Sequence, residues 1–131
     1  MALVSADTSS LVRFLEGKAG HDIELIDAAF ARDEFRLTPA AMAELLSYPK
    51  PRPMLEPLLA RMPTLPLLDG YWTRVGEARR TLLGLGLRAR LGDALIARCC
   101  IDADIALIAH DPDFRHFATH CGLKLAVQAS G

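Results

Sequence analysis

No apolar run in this chain approaches the ~20 residues that a membrane-spanning helix requires, and the longest, around Ile105–Ala109, is strand-sized. The opening MALVSADTSS lacks a basic n-region and carries Asp7, which excludes the pattern of a secretory signal. Cysteine is scarce: there are three, and two of them (Cys99, Cys100) are adjacent in a segment that reads as helical, so no disulfide framework is expected. Together these absences point to a cytoplasmic protein with no membrane association. A surplus of positive charge is missing too, since the formal net charge is −1, and with it the global signature of a nucleic-acid binder. There are no internal repeats and no low-complexity segment. What remains is 131 residues, 51% hydrophobic and 24% charged, the profile of one globular domain spanning 1–131 with enough chain to bury a core.

Charge is unevenly distributed. Residues 1–35 hold seven acids against three bases, whereas residues 74–98 hold six arginines against Glu77 and Asp93. Cysteine chemistry adds little: His116 and His120 stand i, i+4 beside Cys121, but no second well-spaced pair completes a zinc site. Cys99 and Cys100 read as small buried hydrophobes.

Short apolar segments alternate with helical patterns. ALVSA (2–6) reads as a strand, followed by a helix with Ser9 or Ser10 as N-cap and Leu11, Phe14 and Leu15 on one face, stopping at Gly17. DIELIDAAFAR (22–32) repeats the helical spacing. EFRL (34–37) supplies a second strand, and Thr38-Pro39 is a strong helix start for PAAMAELLSY. PKPRP (49–53) is an exposed basic loop, MLEPLLARM a short helix, and TLPLL (64–68) a third strand candidate. Asp69 is expected to cap the next helix, which ends at Gly84 or Gly86. A helix opening on Asp93, an acidic turn solvated by Asp102 and Asp104, the strand IALIA, a helix around FRHFATH ended by Gly122, and a last strand LKLAV complete the chain. This alternation predicts an α/β sandwich around a mainly parallel sheet.

In such sheets ligands bind beyond the carboxyl ends of the strands. Asp7 directly follows the first strand, and Asp111 follows IALIA by one residue. Asp93 opens the helix that leads into that strand, and Glu44 lies early on a helix following another strand. Each acid alone has an ordinary use as a cap or a solvated side chain. Jointly, the apolar flanks of Asp7, Glu44 and Asp93 demand a cation, because unpaired buried carboxylates are unfavourable. Mg²⁺ or Mn²⁺, which prefer oxygen ligands, meets that demand. Crowding of the acids is further expected to raise carboxylate pKa values in the absence of metal.

Four motifs in order, Asp-Thr-Ser at 7–9, Ala40–Leu46, GDALIA at 92–97 and HDPDF at 110–114, resemble those of PIN-domain nucleases, specifically the VapC-type toxins of toxin–antitoxin pairs. The resemblance runs from Ala2 to about Val127. It implies a PIN-like three-layer α/β/α sandwich and an endoribonuclease that cleaves RNA with a metal-activated water. It also implies a small cognate antitoxin as partner, and the family commonly forms homodimers. By motif matching, Asp7, Glu44, Asp93 and Asp111 become the catalytic and metal-binding quartet, with Thr8, Ser9 and Asp113 as supporting residues. One departure is Ala109, where the family commonly carries a small hydroxyl residue two positions before the fourth acid. An acidic crevice cannot attract RNA unaided, so Arg79, Arg80, Arg88 and Arg90 are candidate phosphate contacts, with Lys50 and Arg52 as a second group. Loss of cleavage in a folded Asp7→Asn or Asp93→Asn variant is the expected signature of such a site.

The alternative of another class is a catalytically silent module that uses the fold to grip RNA or a protein. Phosphoryl-transfer proteins with an N-terminal Asp fit less well. Haloacid-dehalogenase-type phosphatases expect a second Asp where Ser9 stands, and receiver domains expect an acidic pair after the first strand.

Overall fold

Three short apolar segments pair in parallel at the centre of the molecule: β1 (Val4–Ala6), β2 (Ala106–Ile108) and β3 (Lys124–Leu125), in that spatial order. Val4, Ser5 and Ala6 lie opposite Ala106, Leu107 and Ile108, and Ala106 and Leu107 lie opposite Lys124 and Leu125. The computed structural model describes residues 2–50 and 52–126. Parallel neighbours require helical crossovers, and these are α1 (Thr8–Leu15), α2 (His21–Ala31), α3 (Pro39–Leu46), α4 (Leu55–Ala60), α5 (Tyr71–Gly84), α6 (Leu91–Ala103) and α7 (Phe114–Cys121). Helices α2 and α6 pack on β2, α7 packs on β3, and α3 touches both α1 and α6. The result is the α/β sandwich around a parallel sheet expected from the alternating pattern, in the three-layer form that the resemblance implied.

Two expected strands are reduced to single parallel bridges, Val4 with Phe35 and Leu37 with Thr64. The backbone bonds are genuine, with Arg36 N–H donating to Val4 O (2.8 Å) and Leu37 N–H to Pro63 O (2.8 Å). They cannot extend. Thr38 already leaves the sheet to cap α3, and Pro66 has no N–H to give a ladder. Of the last expected strand, Lys124 and Leu125 pair, and Val127 lies outside the described residues, as does Pro51 of the basic loop.

Helix boundaries follow local chemistry in some places and tertiary context in others. Thr38 Oγ1 accepts from Ala41 N–H (3.2 Å) with Pro39 in the first turn, as the sequence predicts. Gly122 closes α7 with φ of 86°, a backbone that glycine adopts without a Cβ clash. Asp69 does not cap α5. Gly70 holds that position at φ 82°, and Asp69 contributes only its carbonyl, to Arg74 Nη1 (2.8 Å). Likewise α1 is capped by Asp7 and not by Ser9 or Ser10, since Asp7 Oδ1 accepts from Ser10 N–H (2.9 Å).

The core beneath these helices is apolar and closed. Leu11, Ile26, Leu45, Leu107 and Phe117 have no exposed surface, each burial being worth about 1.5–3 kcal/mol. Cys99 and Cys100 belong to it, and burial pushes both thiols up, Cys99 to about 11, so they behave as hydrophobes. Asp102 departs from expectation. It does not solvate a turn but sits inside α6, its side chain 6% exposed, accepting from Arg74 Nη2 (2.6 Å) and Arg98 Nε (2.8 Å). Burial pushes its carboxyl up, but the two guanidiniums outweigh burial and hold it below the usual carboxylate range. The i, i+4 spacing of Arg98 and Asp102 is the one sequence signal that pointed to this pairing. Asp104 is exposed, ends α6 in a left-handed conformation and accepts from Lys124 Nζ (2.7 Å).

Candidate metal centre at the carboxyl ends of the strands

β1 and β2 end side by side, and the residues that follow them meet. Asp7, the first residue after β1, is 1% exposed and surrounded by donors. Its Oδ2 accepts from His110 N–H (3.0 Å), Asp111 N–H (3.0 Å) and Ser9 Oγ (3.1 Å), while Oδ1 accepts from Ser10 N–H. Asp7 N–H in turn donates to Ile108 O (2.9 Å). One carboxylate therefore caps α1 and clamps the loop after β2 against the end of β1.

Asp93 comes from the first turn of α6, two residues inside a helix whose N-cap is Arg90 and which has no side-chain cap. Its Oδ2 is buried and has no hydrogen-bond partner among the described residues. Burial first, then the charge of Asp111, with smaller contributions from Glu44 and Asp113 and against the pull of Arg90, pushes its pKa up to about 6. The expected effect of crowding is therefore present at Asp93. Asp111 Oδ1 accepts from Asp113 N–H (2.9 Å), which turns the chain into α7. One carboxylate oxygen each from Asp93, Asp111 and Asp113 lie within 4.8 Å of one another.

Glu44 reaches the same place from α3 but is exposed, contrary to the burial that its apolar flanks implied. It stands two residues before the end of α3, next to the buried Leu45, on the side of the helix that faces the crevice rim. Thr8 Oγ1 donates to Glu44 Oε1, and Gly92 of α6 lies directly beneath the carboxylate. A Cβ on Gly92 would stand 3.0 Å from Glu44 Oε2. Gly92→Ala is thus expected to displace Glu44 while leaving the fold intact or slightly more stable, since Ala is favoured over Gly in a helix by about 0.5–1 kcal/mol. An activity assay paired with thermal denaturation checks this; full activity in a stable variant would remove Glu44 from the chemistry.

Asp7, Thr8, Ser9, Glu44, Asp93 and Asp111 line one cavity of about 190 Å³, with Tyr48, Arg90, Ile96 and Phe114 completing it. The four sequence-predicted acids are therefore brought together, and Asp113, expected only as a supporting residue, stands with Asp93 and Asp111. The arginines divide. Arg90 lines the acidic cavity and Arg88 Nε lies 3.7 Å from Asp113 Oδ2. Arg79 and Arg80 instead line a separate groove with Trp72, Leu83 and Leu91, and Arg79 Nε donates to Ala89 O (2.7 Å). Tyr48, which the sequence reading passed over, was detectable only as an aromatic residue one turn after Glu44.

The donor set suits a hard divalent cation. All ligand atoms are carboxylate oxygens, they converge from different elements, and a buried oxygen of Asp93 is left without a donor among the described residues.

Comparison with known proteins agrees with this architecture. Among curated proteins, none matches the sequence. Solved structures do. VapBC from Salmonella typhimurium bound to DNA superimposes with a TM-score of 0.76 at 17% identity, covering 95% of this chain and 97% of that one. VapBC2 from Rickettsia felis, bound to a promoter DNA fragment, gives 0.76 at 18% identity over 97% and 99%. VapBC-5 from Mycobacterium tuberculosis, a member of the VapBC family of toxin–antitoxin systems, gives 0.69 at 23% identity over 95% and 98%. The family model of the PIN domain matches residues 4–119, so the acidic crevice at the strand ends sits in a chain that belongs to the PIN-domain family.

Proposed function

We propose that the protein is a Mg²⁺- or Mn²⁺-dependent endoribonuclease acting as the toxin of a toxin–antitoxin pair. The observation that carries this reading is the convergence of Asp93, Asp111 and Asp113 oxygens within 4.8 Å beside an unpartnered buried oxygen of Asp93. Asp93 and Asp111 would hold the cation, with Asp7 and Glu44 completing the acidic quartet and Asp113 joining it directly or through water. When bound, a divalent cation would polarise a phosphate oxygen and lower the pKa of a water for attack on phosphorus.

The chain's own residues do the rest. Asp7 fixes the distance between the ends of β1 and β2 through its hydrogen bonds to His110 and Asp111. Thr8 holds Glu44 over the cavity, and Gly92 leaves room for it. Arg90 on the cavity wall offsets the repulsion between the acids and an incoming phosphate. Arg88, half committed to Asp113, is the second candidate for that task, whereas Arg79 and Arg80 face a different groove. Trp72 (67% exposed), Leu83 and Leu91 around that groove offer apolar surface for an antitoxin or a second copy of the chain. Support for the antitoxin partner comes from the fold shared with VapBC complexes.

The test is cleavage of total RNA with mapping of the new 5′ ends. Discrete cuts are expected with Mg²⁺ or Mn²⁺, abolished by EDTA and restored by returning the metal. Cleavage indifferent to chelation, or no cleavage with either metal, overturns the reading.

A further inference from the structure

The acidic cavity does not end at Glu44. A second cavity, lined by Thr8, Glu44, Ser47, Tyr48 and Pro49, adjoins it, and a third, lined by Tyr48, Pro49, Lys50 and Arg52, adjoins that. Tyr48 lines all three. It stands just past the end of α3, four residues after Glu44, where the chain has been turned by Ser47 N–H donating to Glu44 O (3.1 Å) and Ser47 Oγ to Ala43 O (2.7 Å). Tyr48 is 43% exposed, although aromatic residues usually bury more of their area.

The ring is also held. The Arg52 guanidinium carbon lies 4.3 Å from its centroid, and Arg52 Nη1 lies 3.9 Å from Glu16 Oε2. Arg52 is itself mostly covered, and its buried Nε has no hydrogen-bond partner among the described residues. Lys50 beside it is exposed and makes no ion pair among the described residues. The order along the groove is therefore carboxylates, a rigidly backed aromatic face, then two cations.

Single-stranded nucleic acid is the polymer whose chemistry has that order, since each nucleotide offers a π-face and a phosphate at a fixed spacing. We propose that Tyr48 is a stacking platform for a nucleobase beside the cleaved phosphodiester, with Lys50 and Arg52 neutralising the next phosphates along the strand. This role rests on the acidic cavity being a phosphodiester-cleaving site, and it adds a direction to it: the substrate strand runs from the acids over Tyr48 to Lys50 and Arg52. A base must be unstacked from its neighbours to reach such a platform, so the substrate class is a single-stranded or loop segment and not a duplex.

The experiment uses fluorescein-labelled octauridylate and an abasic oligomer of the same length, bound to the full chain in EDTA and followed by anisotropy. Tyr48→Ala is expected to weaken octauridylate binding about tenfold, which corresponds to about 1.4 kcal/mol, and to leave abasic binding unchanged. Tyr48→Trp is expected to restore it. Lys50→Ala is expected to weaken both oligomers alike and to flatten the salt dependence, and Arg52→Ala, which also removes the backing of the ring, to weaken octauridylate more than the abasic oligomer. Equal octauridylate affinity in wild type and Tyr48→Ala overturns the proposal, as does failure of the wild type to bind octauridylate. Normal Tyr48-dependent binding with no metal-dependent cleavage would leave this platform standing and remove the nuclease reading instead.

Discussion

Replacing Asp93 by Asn is expected to eliminate metal-dependent RNA cleavage and, in the same variant, to stabilise the metal-free fold at neutral pH. The two effects share one cause. Asp93 is pushed up to about 6 by burial and by Asp111, so in the absence of a cation the fold holds its ionised form at a penalty. A carboxyl whose folded pKa exceeds its ordinary value of 3.8 contributes stability that is fully present below about pH 4 and is lost as pH rises through about 6. Asn carries no such charge. The difference in unfolding free energy between wild type and variant, measured by urea titration with EDTA, should therefore shift by about 1–3 kcal/mol in the variant's favour between pH 4 and pH 7.5. Taking the difference cancels the acids that do not face Asp93, while Asp111, Glu44 and Asp113 stay coupled to it. Adding Mn²⁺ should reverse the order, because a cation that binds only the fold raises stability by mass action. A variant that cleaves RNA at the wild-type rate would remove Asp93 from the site. A pH-independent difference would mean that the carboxylate is not strained.

Asp7→Asn is expected to abolish cleavage for a less informative reason: it should also loosen the fold by about 2–4 kcal/mol. The carboxylate of Asp7 accepts from four donors, three on Oδ2 and one on Oδ1. An amide has one accepting oxygen and an NH₂ group. Whichever way it is turned, N–H faces N–H on one side, and either Ser10 N–H or the amides of His110 and Asp111 lose their acceptor. The expectation that an Asp7→Asn protein stays folded as well as inactive therefore changes once the structure is known. Denaturation midpoints of Asp7→Asn and Asp93→Asn, measured side by side without metal, should move in opposite directions. If Asp7→Asn is as stable as wild type, the clamp assigned to Asp7 is wrong.

Features encoded by neighbouring residues were legible before the structure. Thr38 before Pro39 starts α3, Gly122 ends α7, and the apolar segments around Val4 and Leu107 form the sheet, because a cap, a left-handed turn and a buried strand depend on residues a few positions apart. The rule that ligands gather beyond strand ends then placed Asp7 and Asp111 together without any distance being known. Local pattern was misleading where the fold gave a side chain a competing partner. Asp69, Ser9 and Asp102 all look like solvated or capping groups in sequence; Gly70, Asp7 and the pair Arg74 and Arg98 displaced them from those roles.

By itself, then, the sequence determined the α/β alternation, the parallel sheet and the list of acids that could reach one crevice. Only the tertiary structure decided what each acid is free to do. Asp7 Oδ2 is held by amides that lie 103 and 104 residues away, Asp93 keeps a buried oxygen without a partner among the described residues, Glu44 hangs at the rim over Gly92, and Asp113 joins Asp93 and Asp111. The reason is physical. Periodicity and capping are written in bonds between near neighbours along the chain, whereas the availability of a lone pair depends on which donors the fold delivers to it.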